Sequence, residues 1–237
     1  MHLFYQPDLS KHQIQLSEEE SKHCIRVLRL KSNDQIFLVD GKGTKAVGKV
    51  MDDNPKKCLV QVMEKQIEPK QFDYNLQIFI APPKSPERLD WFVEKAVELG
   101  VDEIYFMTTR NSERNKVNIE RCEKIAISAM KQSKQWYKPV FYPPKPIEQI
   151  ISPNNIDGLK LIAWCETDKQ YPLKRALTNS KHKNVNIMIG PEGDFTNDEV
   201  TTALEFGFEK VSLGNSILRT ETAAIYVIAS CRFHFDI

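Results

Sequence analysis

The chain has little that could hold together a small disulfide-bonded or metal-bound fold. Its five cysteines, Cys24, Cys58, Cys122, Cys165 and Cys231, are odd in number and scattered. None forms a C-x-x-C pair, which argues against a disulfide framework and against a zinc site, so no metal is expected. No apolar run is long enough to cross a bilayer, and Met1-His2-Leu3-Phe4-Tyr5-Gln6-Pro7 has no basic stretch leading into an apolar one. These absences point to a cytoplasmic protein without a membrane partner. A dominant charge is also missing, since 33 Lys and Arg face 32 Asp and Glu for a net charge of +1. Any nucleic acid must therefore be met by a local patch rather than by the field of the whole surface. There is no G-x-G-x-x-G and no G-x-x-x-x-G-K-[ST], which disfavours a dinucleotide or nucleoside triphosphate site. Internal repeats and low-complexity segments are absent as well.

What is present fits one or two globular domains, with 41% hydrophobic and 27% charged residues in 237. Up to about residue 70 the pattern is strand-like. Ile36–Val39, Ala46–Met51 and Cys58–Met63 are separated by turn signals at Asp40-Gly41-Lys42-Gly43 and Asp52-Asp53-Asn54-Pro55. Ser17-Glu18-Glu19-Glu20 reads as a capping box opening a helix through Cys24, Val27 and Leu28. The polar stretch Glu64–Asp73 reads as the linker. A first domain over residues 1–71 and a second over 72–237 are thus expected.

Beyond the linker, strands alternate with helices, the rhythm of a parallel sheet. Strands are expected at Leu76–Ala81, Ile104–Met107, Leu161–Trp164, Val185–Ile189 and Val211–Leu213. One helix follows the Ser85-Pro86-Glu87 cap and stops at Gly100, another follows Asn118, and Thr196 with Glu199 forms a second capping box. Pro139–Pro153 reads as a proline-rich connection. Thr220 opens a last helix, apolar around most of its circumference and therefore expected to be buried. Between Arg110 and Lys145 nine basic residues face three acids, which reads either as a nucleic-acid patch or as a solvated helix face.

Two loops stand at C-terminal strand ends, where open α/β sheets bind ligands. In Gly190-Pro191-Glu192-Gly193 the glycines permit close backbone approach, and Glu192 would repel a polyphosphate. A ligand without phosphate, gripped by backbone groups, fits better than a merely structural turn. In the second loop, Leu213 to Thr222, apolar Ile217 and Leu218 suggest a pocket wall. Arg219 and Glu221 place a cation and a carboxylate at a helix start, which alone could be no more than an ion pair.

These two loops, with Ile217-Leu218-Arg219-Thr220-Glu221-Thr222-Ala223, resemble the signature of the RsmE family. These are SPOUT-superfamily enzymes that methylate N3 of a uridine in 16S ribosomal RNA. His23 with Arg26-Val27-Leu28-Arg29, Asp40-Gly41, Lys95 with Glu98-Leu99-Gly100-Val101, and Ser112-Glu113-Arg114 resemble family positions in the same order. The resemblance implies a PUA-like β-barrel ahead of an α/β domain whose C-terminal segment forms a trefoil knot. It also implies a homodimer and a substrate within the assembled small ribosomal subunit. S-adenosyl-L-methionine would be held by Ile189, Gly190, Glu192, Gly193, Leu213, Gly214, Ile217 and Leu218, with Cys165 and Glu166 as a third wall. Two departures stand out. Asp194 replaces a second family glycine, which implies a less free loop or an added polar contact. Lys134-Gln135-Trp136-Tyr137-Lys138 follows Gln132-Ser133, where many members carry an arginine, which implies different RNA or interface contacts.

For the transfer itself, the base must leave its stack and lose the N3 proton, and charge develops on the uracil oxygens. Arg219 is the first candidate to meet that charge and Arg114 the second, with Glu221 orienting Arg219 or accepting the proton. Arg26, Arg29, Arg110 and Arg114 are expected to contact RNA. The competing readings are a non-catalytic RNA-binding or ribosome-assembly protein and a SPOUT enzyme acting on a ribose 2′-hydroxyl.

Overall fold

The computed structural model describes residues 2–151, 156–167 and 171–235. They form two compact units, one of residues 1–71 with 127–138, the other of 72–126 with 139–237.

The first unit is a curled five-stranded sheet of order β1-β3-β4-β5-β2, with β1 (Leu3–Tyr5), β2 (Gln13–Gln15), β3 (Gln35–Val39), β4 (Thr44–Asp52) and β5 (Leu59–Ile67). β1 pairs parallel to β3 and the remaining pairs are antiparallel. The two end strands are not paired to each other, so the barrel is partly open. Alternation puts Ile36, Leu38, Ala46, Val50, Val60 and Val62 on the inner face, around Phe4, Ile14, Leu16 and Cys24. β1 and β2 have three residues each, too few for a period-two pattern to stand out, and were not expected.

Ser17 caps α1 (Glu18–Lys22) as expected, its hydroxyl accepting from the Glu20 amide. The reciprocal half of the box is absent. Glu20 turns inward, where its carboxylate accepts from the Tyr5 amide at 3.3 Å and pairs with Lys131 at 2.6 Å. The helix then widens into a π-turn over His23–Val27, and Arg29 adopts a left-handed φ of 56°. The helical path thus runs through Cys24 and Val27 as expected, but Val27 points to solvent with 65% exposure and the helix ends before Arg29.

The segment that departs from the family pattern packs within this unit. Lys134 leaves its helix at φ 57°, the Lys45 ammonium lies 4.8 Å from the Trp136 ring centre, and the Tyr137 hydroxyl donates to the Glu68 carbonyl at 2.9 Å. A Cβ on Gly43, at φ 99°, would overlap the Tyr137 hydroxyl.

The second unit is a six-stranded, all-parallel sheet of order β11-β9-β10-β6-β7-β8. Its elements are β6 (Asn75–Ile80), α2 (Pro86–Leu99), β7 (Glu103–Thr108), α3 (Ile119–Ser133), β8 (Val140–Pro146), α4 (Ile147–Ile150), β9 (Leu159–Ala163), α5 (Leu173–Asn179), β10 (Asn184–Ile189), α6 (Asn197–Glu205), β11 (Glu209–Val211) and α7 (Thr220–Phe235). The second half of α3, from Ile127, belongs to the first unit by its contacts. Central β10 is buried from Val185 to Ile189, as a strand covered on both faces must be.

Most of the proline-rich connection proves to be β8 and α4. β8 lies at the sheet edge, where prolines need not donate to a neighbour, and its register slips between Tyr105 and Met107 of β7. Pro153 lies outside the described residues. β11 closes the opposite edge, yet α7, next in the chain, returns to pack on α2, α5, β6 and β10. The last helix is less enclosed than its composition implies. Ala224, Val227, Ile228 and Cys231 are fully buried, whereas Tyr226 is 47% and Phe233 84% exposed.

Candidate active site

The loops after β9, β10 and β11 converge at the carboxyl ends of neighbouring strands and enclose a cavity of about 160 Å³. The loop after β10 is built around a turn in which the Asp194 amide donates to the Pro191 carbonyl at 3.0 Å. Asn111, from the loop after β7, donates its side-chain amide to the carbonyls of Gly193 and Asp194 at 2.9 and 3.0 Å. The Lys84 amide, after β6, donates to Glu192 Oε1 at 3.1 Å. The capping box of α6 is complete, and Glu199 also accepts from the Arg110 amide at 2.8 Å. The buried Thr220 hydroxyl donates to the Gly190 carbonyl at 3.0 Å and joins this loop to the start of α7. In the loop after β11, Gly214 has φ 120°, open to glycine alone at no steric cost, and its amide donates to Ser212 Oγ.

Of the residues expected to hold the cofactor, Cys165, Ile189, Gly190, Glu192, Leu213, Gly214, Ile217 and Leu218 line this cavity. Glu166 and Gly193 do not. A Cβ on Gly193 would stand 3.1 Å from Asn111 Cβ, so the space it leaves open belongs to Asn111 and not to a ligand. Sequence reasoning passed over Ala163, Trp164, Ser212 and Asn215 as lining residues and met Asp194 only as a departure from the family pattern. Trp164 and Ser212 fall inside the strands expected over Leu161–Trp164 and Val211–Leu213, next to the ends from which the pocket loops leave, and that adjacency was the available signal. Among the described residues, the charged ones lining the cavity are Glu192 and Asp194, with no lysine or arginine.

The Cys165 thiol is pushed up to about 11, first by partial burial and then by the charge and hydrogen bond of Asp194. It is the exposed cysteine of the five, the other four being buried.

The proposed catalytic residues are not gathered in one place. Arg219 is exposed and follows Leu218 directly, at the cavity rim, without lining the cavity. Glu221, 6% exposed, faces Arg88 of α2 at 3.6 Å, so its ion-pair partner is not Arg219. Its Oε2 is buried without a hydrogen-bond partner among the described residues. Arg114 donates from Nε to the Lys116 carbonyl at 3.0 Å, and its Nη1 is likewise buried and unpartnered.

The Arg26, Arg29 and Arg110 side chains are exposed. The basic run from Arg110 to Lys145 is not a free stripe. Arg121 forks onto Asp90 with Nε 2.9 and 3.0 Å from the two oxygens, Lys131 pairs with Glu20, and the run is divided between the two units.

Comparison with known proteins bears on the fold and the family. Residues 70–232 match the model of an RNA methyltransferase domain and residues 16–63 that of an RNA methyltransferase PUA domain. Over 221 residues the chain is 31% identical to the ribosomal RNA small subunit methyltransferase E of Rickettsia conorii, covering 92% of this chain and 89% of the relative. The Bacillus subtilis protein of the same name is 27% identical, with 97% and 96% covered. A probable rRNA-methyltransferase from Porphyromonas gingivalis superposes with a TM-score of 0.91 at 36% identity, covering 100% and 99% of the two chains. The Neisseria gonorrhoeae ribosomal RNA small subunit methyltransferase E, solved with S-adenosyl methionine, gives 0.86 at 27% identity, with 98% and 97% covered. With a PUA-like domain ahead of a SPOUT-type α/β domain, the chain belongs to the ribosomal RNA small subunit methyltransferase E family, the RsmE family of RNA methyltransferases.

Proposed function

We propose that this protein transfers a methyl group from S-adenosyl-L-methionine to N3 of a uridine in 16S ribosomal RNA of the small ribosomal subunit. The observation that carries the reading is the cavity where three loops meet at the strand ends, lined among the described residues by backbone-rich turns and two carboxylates but no basic side chain. That donor set fits a cationic ligand without phosphate and not a dinucleotide, whose pyrophosphate would face Glu192 and Asp194 unneutralised. When bound, S-adenosyl-L-methionine supplies the electrophilic methyl of a sulfonium.

The protein's own task is to bind and align. Ile189, Gly190, Glu192, Leu213, Gly214, Ile217 and Leu218 hold the cofactor, with Trp164 and Cys165 as the third wall. Gly193 acts at one remove, by leaving room for Asn111, and Glu166, exposed and outside the cavity lining, is assigned no contact with the cofactor. The N3 proton must leave before attack, and the negative charge then spreads over the flanking carbonyl oxygens of the uracil. Arg219, exposed and flanked by the lining residues Leu218 and Thr220, is assigned to meet that charge, with Arg114 as the second cation. Glu221 is assigned to holding α7 against Arg88 and not to taking the proton. Arg26, Arg29 and Arg110 contact RNA phosphates.

The same reading includes a knotted C-terminal segment, supported by the return of the chain from edge strand β11 to α7, packed on β6 and β10. It also includes a homodimer, for which exposed Trp91, Tyr226 and Phe233 on α2 and α7 supply apolar surface. The assembled small subunit is the substrate, and the site of action is the cytoplasm. No described helix is long and apolar enough to cross a membrane.

The test is to digest small-subunit RNA from cells with and without the protein and compare methylated nucleosides. Disappearance of 3-methyluridine is expected. Disappearance of a 2′-O-methyl nucleoside, or no change, refutes the reading.

A further inference from the structure

We infer that Asp194 is a positioning residue whose carboxylate latches the turn after β9 onto the loop after β10 and thereby holds the third wall of the cofactor pocket in place. The inference rests on the cofactor reading above and assigns a role to a residue that stands where the family pattern has glycine.

Asp194 has a φ of 57°, in the left-handed region that non-glycine residues seldom occupy. Its backbone is committed on both sides, the amide to Pro191 and the carbonyl to Asn111. Aspartate tolerates this conformation when its short side chain bonds locally, and Oδ1 accepts from the adjacent Phe195 amide at 2.8 Å. That bond accounts for the conformation and for nothing beyond the loop.

The other oxygen reaches across the site. Oδ2 accepts from the Cys165 amide at 3.0 Å, 29 residues back in sequence. Ala163, Trp164 and Cys165 together form the wall at the end of β9. The turn they begin is closed by the Thr167 amide on the Trp164 carbonyl at 3.1 Å, and the Trp164 amide reaches Val211 at 3.3 Å. Neither bond ties the wall to the Gly190 loop; the Asp194 bond does. The carboxylate also lies over Gly190, where a Cβ would stand 3.2 Å from Oδ1. A glycine at 194 could adopt the same backbone and would leave the Cys165 amide without this acceptor.

Asn and Gly are both at ease at positive φ, so Asp194→Asn and Asp194→Gly keep the backbone conformation while removing the second carboxylate oxygen. Two measurements on the full-length protein follow. Calorimetric titration with S-adenosyl-L-methionine should show affinity reduced about 10- to 150-fold in both variants, the range expected for one lost hydrogen bond to a charged group. Alkylation of Cys165 by iodoacetamide, followed by mass spectrometry at neutral pH, should be faster in both, because the thiol loses an acceptor and a neighbouring negative charge that disfavour the thiolate. A purely conformational role for Asp194 would move neither quantity. Wild-type affinity in both variants, or unchanged Cys165 alkylation in both, overturns the latch. If the wild-type protein itself fails to bind S-adenosyl-L-methionine, the cofactor reading and the pocket role of Asp194 are overturned together, while the alkylation rates still decide the latch.

Discussion

Replacing Thr220 by valine exchanges a hydroxyl for a methyl group of nearly the same size at the point where the pocket loop meets α7. Thr220 is 4% exposed, and its Oγ1 donates to the Gly190 carbonyl at 3.0 Å, so valine leaves that carbonyl buried and unpaired. Leaving a buried acceptor unsatisfied costs about 1–3 kcal/mol. In a chain of this length each kcal/mol corresponds to about 2–4 °C in melting temperature. Thr220→Ser is the control, because it keeps the donor and loses one methyl group, worth about 0.8 kcal/mol. Valine should therefore be the more damaging change although it is the closer in shape. Denaturant unfolding gives the stability difference, and titration with S-adenosyl-L-methionine should show weaker binding for valine than for serine, since Gly190 lines the cavity. If the valine variant unfolds and binds like the serine variant, the hydroxyl does not support the loop and the reasoning fails.

Gly193→Val should weaken cofactor binding through Asn111, whose Cβ it would crowd, and Asn111→Ala should reproduce the effect; normal calorimetric affinity in both would show that the turn needs no outside support. Alanine at both Arg26 and Arg29 should weaken RNA binding and make its salt dependence shallower by roughly one to two units of logarithmic slope, measured by fluorescence anisotropy across a salt series. A wild-type slope would assign both side chains to solvent. Arg219→Ala should slow single-turnover methylation at saturating small subunits with a smaller change in binding, and a normal rate would remove Arg219 from the chemistry.

Local signals were legible wherever the deciding forces act within a few residues. Ser85-Pro86, Gly100 and the Thr196–Glu199 box start or stop helices through bonds made inside one turn, and they appear where the sequence places them. The capping box at Ser17 was only half right for the opposite reason. Glu20 is drawn inward by the Tyr5 amide and by Lys131, which is 111 residues away. β8 was hidden because proline content signals a loop in isolation, and only its place at a sheet edge makes the same prolines compatible with a strand.

The sequence by itself determined the alternation of strands and helices, the two loops at strand ends and the resemblance that ties them to RNA methylation, because periodicity, caps and short motifs are local properties of the chain. Tertiary structure alone decided which side chains meet. It paired Glu221 with Arg88 and left Arg219 at the rim, it turned Gly193 toward Asn111, and it bent Asp194 back to the Cys165 amide. Each of these contacts joins residues brought together by strand order, and strand order follows from how a whole sheet buries its faces, which no stretch of a few residues encodes.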